Sequence, residues 1–506
     1  MTKVSPRRLL AATIAVGLLL TGCSTTTGGS AEESGGDRDL VATGTYPIES
    51  LDPHGAQGAS TGTQLAAKAI FSRLVKLEAD GKVSGDLAEK WEPGATAATW
   101  TFTLRQGVTF SDGKPVTSAD VVASFNRMMT LDGPNAANFP DAKMTAPSAS
   151  EVVLTAPAPD ASIPRKLGLF YVIPASVKAD DTAFFNDPVG SGPFAVERFK
   201  PSEELALVPN EKYSGDKPQL AHLQLRNIPD LSARLTALRT GEVDVVWGIP
   251  DDQLAVLRGE NSLTVQTVPS TAVFTMWFNS SVPALKTPAV RRALWQAVDF
   301  EKIIKALYAE TGALADAPVA PSVLGYAKQQ PVGHDAQAAK AALQNAGFDF
   351  GKKLRLQFSD AEFRPFVQAV ASALAEIGVK ADVLEKEKAV FTKDLLALNF
   401  DLNFQQLATP TYDAASNLGR LYPCKAKRTG YCNPELDALL AKAGASPDDA
   451  GRGKLYAQAS EIIWRDAVGM FPMTVQLAYS WKKGLEGFTP DPSGLPDFAG
   501  IKVAGS

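Results

Sequence analysis

Residues 86–129 decide the fold, and they read DLAEKWEPGATAATWTFTLRQGVTFSDGKPVTSADVVASFNRMM. Apolar residues alternate with polar ones across the middle of this stretch, as they do in strands with one buried face. The alternation predicts two half-buried strands with a turn at Gln106-Gly107 between them. The apolar positions are Trp100, Phe102, Leu104, Val108 and Phe110.

A helix is predicted directly after these strands. Asp112-Gly113 marks a second turn, and Thr117 followed three residues later by Asp120 is typical of a capping box, so the helix should begin near Ser118. Five apolar residues fall on one face of this helix, which we expect to pack on the strands. They are Val121, Val122, Phe125, Met128 and Met129.

The same stretch resembles the signature block of the extracytoplasmic solute-binding proteins of family 5, the oligopeptide, dipeptide and nickel receptors of ABC importers. The resemblance implies an α/β chain with the two-lobed periplasmic-binding-protein fold of type II, in its large form with an extra subdomain in lobe 1. It also implies a ligand cleft between the lobes. The matching positions are Asp86, Leu87, Trp91, Trp100, Phe102, Leu104, Arg105, Gly107, Phe110, Gly113, Asp120 and Val121.

Further runs extend the resemblance along almost the whole chain. They are GSGPF at 190–194, NEKYSGDKP at 210–218, ALRTGEVDV at 237–245 and VRRALWQAVD at 290–299. The first run could also be taken for a dinucleotide-binding Gly-x-Gly loop. Pro193 and Phe194 stand where the helix of such a loop would open, so we favour the turn found in the family.

A chain of 506 residues is too long for one ordinary core. With the resemblance, this length predicts lobe 1 at 39–270, including an inserted subdomain at about 60–189. Lobe 2 follows at 271–474, and residues 475–506 return to lobe 1. Within lobe 2 the apolar runs predict a βαβαβ unit at 353–406, and ligand contacts are expected just beyond its last strand.

The N-terminal residues are predicted to form a targeting signal rather than part of the folded protein. Arg7 and Arg8 precede a short apolar run at 9–20, which is typical of a signal peptide over residues 1–22. Leu20-Thr21-Gly22-Cys23 resembles a bacterial lipobox, which implies that Cys23 is lipidated and tethers the protein to a membrane. Residues 23–38 are predicted to form a flexible tether.

Two other cysteines, Cys424 and Cys432, are predicted to form a disulfide. Export would place them in an oxidising compartment, and the intervening chain includes Gly430 and is long enough to turn back. The alternative, a zinc site, would require further ligands. The chain has three His residues, and none is adjacent to either Cys.

Eight residues are predicted to contact a ligand in the cleft. Aromatic side chains would supply apolar walls, and polar side chains after the last strand of the βαβαβ unit would orient the ligand. Ordinary core packing remains the alternative for these residues. The predicted site residues are Tyr46, Trp277, Asn279, Gln405, Gln406, Thr409, Tyr412 and Asp413.

One departure from the family bears on the ligand. In the family's peptide receptors, an Asp three residues before a later acidic residue pairs with the α-ammonium group of the peptide, and such charge-assisted bonds are strong. If Asp413 occupies the later position, the anchor position is Pro410. Either Asp413 serves as the anchor through a shifted loop, or the ligand is not a peptide with a free amino terminus.

Composition argues against several other classes of protein. Without residues 1–22 the chain has 47 basic and 55 acidic residues, spread along its length, so a nucleic-acid partner is not expected. The phosphate loop and the zinc helix HExxH are both absent from the sequence, and none of the three His residues lies in a recognisable catalytic-triad context. We therefore expect no catalytic residues, no cofactor and no metal.

The resemblance implies a substrate-binding lipoprotein of an ABC importer, which captures short peptides or a related small polar solute by closure of its lobes. Its expected partners are the solute, the permease and ATPase subunits of the importer, and the membrane through Cys23. We expect a monomer on the outer face of the cell membrane or in the periplasm. A sensor on the same fold and, less favoured, an enzyme that uses carboxylates in the cleft remain alternatives.

Overall fold

The computed structural model describes residues 39–503. The predicted signal peptide, the predicted lipidation site Cys23 and the predicted tether at 23–38 lie outside the described residues. Within the described part of the chain, no helix is both long and apolar enough to cross a membrane.

Helices and strands are interspersed along the described chain. The strands are β1 Leu40–Thr43, β2 Val75–Leu77, β3 Val83–Gly85, β4 Ala88–Pro93, β5 Thr99–Leu104, β6 Lys143–Ser148, β7 Glu151–Thr155, β8 Phe194–Lys200, β9 Glu204–Pro209, β10 Leu223–Arg226, β11 Val245–Trp247, β12 Leu263–Phe278, β13 Gly312–Leu314, β14 Lys353–Phe358, β15 Lys380–Glu385, β16 Leu402–Ala408, β17 Gly469–Met470, β18 Met473–Lys482, β19 Leu485–Glu486 and β20 Lys502–Val503. The helices are α1 Thr61–Ile70, α2 Ser118–Leu131, α3 Ile163–Leu167, α4 Leu231–Thr240, α5 Asp251–Arg258, α6 Pro288–Gln296, α7 Phe300–Leu307, α8 Ala336–Asn345, α9 Arg364–Glu376, α10 Lys388–Leu396, α11 Leu418–Leu421, α12 Pro434–Gly444 and α13 Asp449–Arg465.

One of the two strands predicted within residues 86–129 is present in the structure. β5 is confirmed, with its apolar side chains buried, but the predicted second strand at 108–110 is wrong. Both edges of β5 are already paired, with β4 on one side and β7 on the other. Val108 and Phe110 are still buried, so the alternation correctly predicted which side chains face the core. Glycines at positive φ precede and follow this short segment, which forms only an isolated bridge between Thr109 and Pro115.

Helix α2 begins at Ser118, as predicted. Thr117 and Asp120 form the capping box, in which the Asp120 carboxylate accepts a hydrogen bond of 2.8 Å from the Thr117 N–H. Val121, Phe125 and Met128 are buried under the sheet of β4 to β7. The local signals at this helix start therefore agree with the tertiary packing.

The predicted βαβαβ unit is confirmed as β14, α9, β15, α10 and β16. β14 lies between β15 and β16 and is parallel to both. The unit spans residues 353–408 and so ends two residues beyond the predicted limit at 406.

Two long antiparallel strands connect the two sides of the large sheet. The first part of β12, Leu263 to Pro269, pairs with β18, and its last part, Ala272 to Phe278, pairs with β16. β18 in turn pairs with β11. The predicted limits of lobe 2, at residues 271 and 474, fall within β12 and β18.

Buried apolar side chains form several separate clusters. The largest contains residues between Val273 and Met473, and we call the body around it lobe 2. A second cluster combines residues 40–71 with residues 171–247 and 479–501, and a third spans residues 74–172. We call the body around the second and third clusters lobe 1.

The predicted disulfide between Cys424 and Cys432 is confirmed. It closes a loop in which Gly430 has a φ of 62°. A residue with a side chain would rarely adopt this conformation.

A buried histidine in lobe 1 makes folding sensitive to pH. His54 is 1% exposed, and one ring nitrogen lies 2.8 Å from the carbonyl oxygen of Tyr171. That nitrogen, Nε2, must donate, so Nδ1 is left to accept a bond of 3.3 Å from Arg127. Burial, together with the charge of Arg127, lowers the pKa of His54 from 6.5 to about 4.

We expect acid to destabilise the protein partly through His54. Between pH 6.5 and about 4 the unfolded chain binds a proton that the folded chain does not, so the free energy of unfolding should fall as the pH falls through this window. The slope contributed is up to about 1.4 kcal/mol per pH unit. Urea unfolding from pH 7 to pH 5 should show a shallower pH dependence in His54→Gln than in the wild type. Equal slopes would contradict this assignment.

Candidate functional site

Tyr46 follows β1, and Asp360 and Glu362 follow β14, so these side chains lie beyond the carboxyl ends of one strand from each lobe. Tyr46 lies in the loop that follows β1, and its surface is 59% exposed. Partial burial, then the negative charges of Glu362 and Asp360 from lobe 2, raise the pKa of Tyr46. These three side chains therefore lie close enough to interact across the cleft.

Glu362 sits beside a group of aromatic rings. The ring centroid of its neighbour Phe363 lies 5.2 Å from that of Phe274. The ring centroids of Phe274 and Tyr308 are 5.6 Å apart. Burial and the charge of Glu362 raise the pKa of Tyr308 to about 12. Partial burial, and then the charge of Asp360, raise the pKa of Glu362. Among the residues that the structure describes, the Glu362 carboxylate has no hydrogen-bonding or ionic partner.

The polar residues after β16 divide into two groups. Gln406 is exposed at the end of the strand, whereas Gln405 and Thr409 are more enclosed. Within residues 39–503, Gln405 Nε2 and Thr409 Oγ1 are buried without a hydrogen-bond partner. Buried polar atoms usually find a partner, so these two atoms are candidates for ligand contacts.

Trp277 and Asn279 lie in the interior of lobe 2. Trp277 is 1% exposed, and its indole N–H donates a bond of 2.9 Å to the hydroxyl of Tyr422. The Asn279 side-chain amide donates to two backbone carbonyls, those of Leu398 and Phe400. Their polar groups are engaged within the fold, so we leave both residues out of the proposed ligand surface.

Tyr412 connects the lobes directly. Its side chain is buried, and burial, then the charge of Asp491 in the C-terminal segment of lobe 1, raise the pKa of Tyr412. A Cβ on Gly81 would lie 3.2 Å from the Tyr412 ring, so the ring also lies against the β2–β3 turn of lobe 1. This position assigns Tyr412 to the contact between lobes.

Asp413 is fully buried and ion-paired. Its Oδ2 accepts bonds of 3.1 and 2.9 Å from Arg452 Nε and Nη2, and its Oδ1 accepts from the Ala415 N–H. Arg165 Nε of lobe 1 lies 3.6 Å from the same Oδ2. Because two guanidinium groups already neutralise this carboxylate, Asp413 is poorly placed to hold a ligand's ammonium group.

Arg165 also contacts a second carboxylate of lobe 2. Its Nη2 donates a bond of 2.9 Å to Asp449 Oδ2, and Arg452 donates to the other oxygen of Asp449. We call Arg165, Asp413, Asp449 and Arg452 the interlobe ion cluster. Nearby, the Ala161 N–H of lobe 1 donates a bond of 2.7 Å to the Gly444 carbonyl of lobe 2.

The described residues contain no group of three or more His, Cys, Asp or Glu side chains that could hold a metal ion.

Comparison with known proteins agrees with this architecture. The family described as Bacterial extracellular solute-binding proteins, family 5 Middle, matches residues 82–429. The chain belongs to this family. A related sequence is the probable D,D-dipeptide-binding periplasmic protein DdpA of Escherichia coli K12, which is 30% identical over 83% of this chain and 86% of that protein.

Other members of the family match nearly the whole chain. The glutathione-binding protein GsiB of Salmonella typhimurium is 26% identical, over 92% of this chain and 95% of that protein. Among solved structures, HbpA2 from Haemophilus parasuis has a TM-score of 0.83 and 24% identity, with coverage of 92% of this chain and 100% of that one. This last likeness supports the two-lobed fold.

For this family 5 protein, sequence reasoning missed the interlobe ion cluster and Glu362. Arg165 and Asp449 are 284 residues apart, and Arg452 and Asp413 are 39 apart, so no local pattern couples them. The residues after β14 carried a usable signal, because ligands of α/β sheets bind beyond the carboxyl ends of strands. Asp360 and Glu362 occupy that position.

We expect Asp413→Asn to destabilise this solute-binding protein by about 3–5 kcal/mol, because it removes the fully buried carboxylate of the interlobe ion cluster and leaves Arg165 and Arg452 with only the half-exposed Asp449. Urea unfolding would measure the loss. In the double variant Asp413→Leu/Arg452→Met, both charges are replaced, and much of the stability should return. A change below about 1 kcal/mol in Asp413→Asn, typical of an exposed pair, would contradict the structural role.

Proposed function

We propose that this protein captures a short peptide, or a related small solute that carries a free amine, and delivers it to the permease of an ABC importer. Family membership supports solute binding. The names of related proteins, which include dipeptide-, di/tripeptide- and glutathione-binding proteins, support the peptide class. The observation that carries the proposal is the unpaired Glu362 carboxylate, which faces Tyr46 across the lobe boundary.

The proposed lobes follow the separate hydrophobic clusters. Lobe 1 would comprise residues 39–270 and 475–506, with an inserted subdomain at about 60–189, and lobe 2 would comprise residues 271–474. The third cluster, at 74–172, supports an inserted subdomain with its own core. Rotation about β12 and β18, the long strands that join the lobes, would then open and close the cleft.

Glu362 is proposed as the ammonium contact in place of the family's anchor. Pro410 cannot supply a charge, and Asp413 is neutralised by Arg452. Glu362 remains unpaired beside Tyr46 and Tyr308, and aromatic faces with a carboxylate suit an ammonium group. Tyr46, Gln405, Gln406 and Thr409 are kept as further ligand contacts.

The test is a calorimetric titration with a pool of dipeptides that have free amino termini, beside the same pool after N-acetylation. The free-amine pool should bind, and the acetylated pool should bind much more weakly, because acetylation removes the charge. Equal binding of both pools, or no binding of either, would contradict the proposed solute class.

In the same titration, Glu362→Gln should weaken binding of the free-amine pool about tenfold, through loss of a charge-assisted bond. Binding of the acetylated pool should stay as it was. Glu376→Gln, at the exposed end of α9, is the matched control and should bind like the wild type. Unchanged affinity in Glu362→Gln would remove Glu362 from the site.

The interlobe ion cluster is proposed to favour the closed arrangement. If the lobes separated, Asp413 and Asp449 would keep Arg452, but Arg165 would lose both carboxylates while its side chain, 8% exposed in this structure, stayed close to lobe 1. Closure therefore supplies the counter-charge that Arg165 otherwise lacks. A ligand that contacts both lobes would add to this preference.

Arg165→Met keeps an apolar side chain of similar length but removes the charge, and it should weaken solute affinity about tenfold by reducing the closed population. Lys217→Met, which removes an exposed pair with Glu211, is the control and should have no effect. Titrations at low and high salt should show a smaller salt dependence in Arg165→Met. Wild-type affinity in Arg165→Met would exclude a role in closure.

Lipidation of Cys23 is proposed to tether the protein at the outer face of the membrane, with the permease and ATPase as partners and no enzymatic activity. The lipobox-like run at 20–23 supports the tether. A sensor role on the same fold is the alternative. It would persist after deletion of the importer genes, whereas solute uptake would be lost.

A further inference from the structure

A large cavity lies on the lobe boundary beside the interlobe ion cluster, where its lining residue Ala415 donates a backbone bond to Asp413. Its volume is about 830 Å³, within the range of small-molecule sites. One wall comes from residues 137–166 of lobe 1, and the other comes from residues 415–456 of lobe 2. None of the eight predicted site residues lines it.

The walls of this cavity are mainly apolar and small. Alanines and prolines dominate the lobe 1 wall and alternate with glycine and polar residues on the lobe 2 wall, while Phe139, Ile163 and Leu440 supply larger apolar surfaces. Such walls leave room for a ligand body and offer it few hydrogen bonds. Polar recognition must therefore come from the few charged and hydroxyl groups of the lining.

The cavity lining carries a small excess of positive charge. Its two carboxylates are Asp160, which pairs with Lys166, and Asp437, which accepts a bond from the Cys424 N–H. Arg420 and Lys425 also line the cavity, and among the described residues neither forms a salt bridge. Arg420 donates one bond, from Nε to the Ser416 carbonyl, which leaves its terminal nitrogens available.

A further guanidinium makes this excess of positive charge more marked. Burial, and then the charge of Arg428, lower the pKa of Arg420, so two cations lie close together. Arg428 likewise has no carboxylate partner within residues 39–503. Neighbouring cations without a counter-charge are stabilised by an anion that binds between or beside them.

The hydroxyl of Tyr456 also favours an anion in the cavity. Tyr456 is 1% exposed and lines the cavity, and its hydroxyl has no hydrogen-bond partner in the described part of the chain. Burial, and then the charge of Asp413, raise its pKa, so the hydroxyl keeps its proton. A buried hydroxyl of this kind can donate to an anion in the cavity.

We propose that this cavity is a second binding site, which takes a carboxylate with an apolar body. The carboxylate would lie beside Arg420 and Lys425, the Tyr456 hydroxyl would donate a hydrogen bond within the cavity, and the apolar body would rest on the alanine and proline walls. Because the walls come from both lobes, an occupant would contact both and favour the arrangement described here.

The test uses a ligand that the proposed cleft cannot anchor. N-acetyl-phenylalanine has a carboxylate and an apolar ring but no ammonium group, and N-acetyl-phenylalanine amide differs only in lacking the carboxylate. In a calorimetric titration of the purified protein, the acid should bind about tenfold or more tightly than the amide, the range expected for a charge-assisted hydrogen bond.

Two variants assign the binding to this cavity. Arg420→Gln/Lys425→Gln should abolish the preference for the acid, and Ala441→Trp, at an exposed lining position, should reduce binding of both compounds by filling the space. Arg239→Gln, on the exposed face of α4, is the charge-matched control and should behave like the wild type.

The proposal is overturned if the acid does not bind, if acid and amide bind equally, or if the preference survives in Arg420→Gln/Lys425→Gln. Thermal unfolding of each variant alone should stay near that of the wild type, since none of these side chains is in a hydrophobic cluster. Retained binding in Glu362→Gln would show that this site is independent of the cleft.

Discussion

The pairing of β12 with β18 is the constraint on which the rest of the structure depends. These strands carry the sheet from lobe 1 to lobe 2 without a break in hydrogen bonding except at the irregularity between Pro269 and Val273. The two lobes therefore remain joined through these strands, whichever other contacts form across the boundary. Such a connection limits relative motion to hinge-like rotation, and small changes at the boundary can shift the balance between open and closed forms.

Charged groups of both lobes meet at this boundary. Two carboxylates of lobe 2 share Arg452 within the lobe, and Arg165 of lobe 1 pairs with the same two carboxylates across the boundary. Taking charges out of water is unfavourable unless each finds a partner, so the cluster gains most when all four groups are together. Asp413 thereby has a structural role, and ligand recognition is left to groups that the fold does not neutralise.

Features that depend on residues close together in the sequence could be predicted. Contacts between residues far apart in the sequence could not. The capping box at Thr117 and Asp120 and the βαβαβ unit are specified by residues close together in the chain. Val108 and Phe110 have the right burial but no strand partner, because pairing depends on which edges of β5 remain free. Asp413 was predicted from its loop alone, and only the distant Arg452 reveals that its charge is already satisfied.

Native mass spectrometry of the protein purified without denaturation tests most directly whether it binds an amine-bearing solute, because the method weighs whatever solute is bound. We expect adducts at the masses of short peptides or of another amine-bearing solute, and we expect these adducts to be lost when the protein is unfolded and refolded in buffer. A single adduct without an amine, or a protein that stays empty after incubation with a peptide pool, would contradict this expectation.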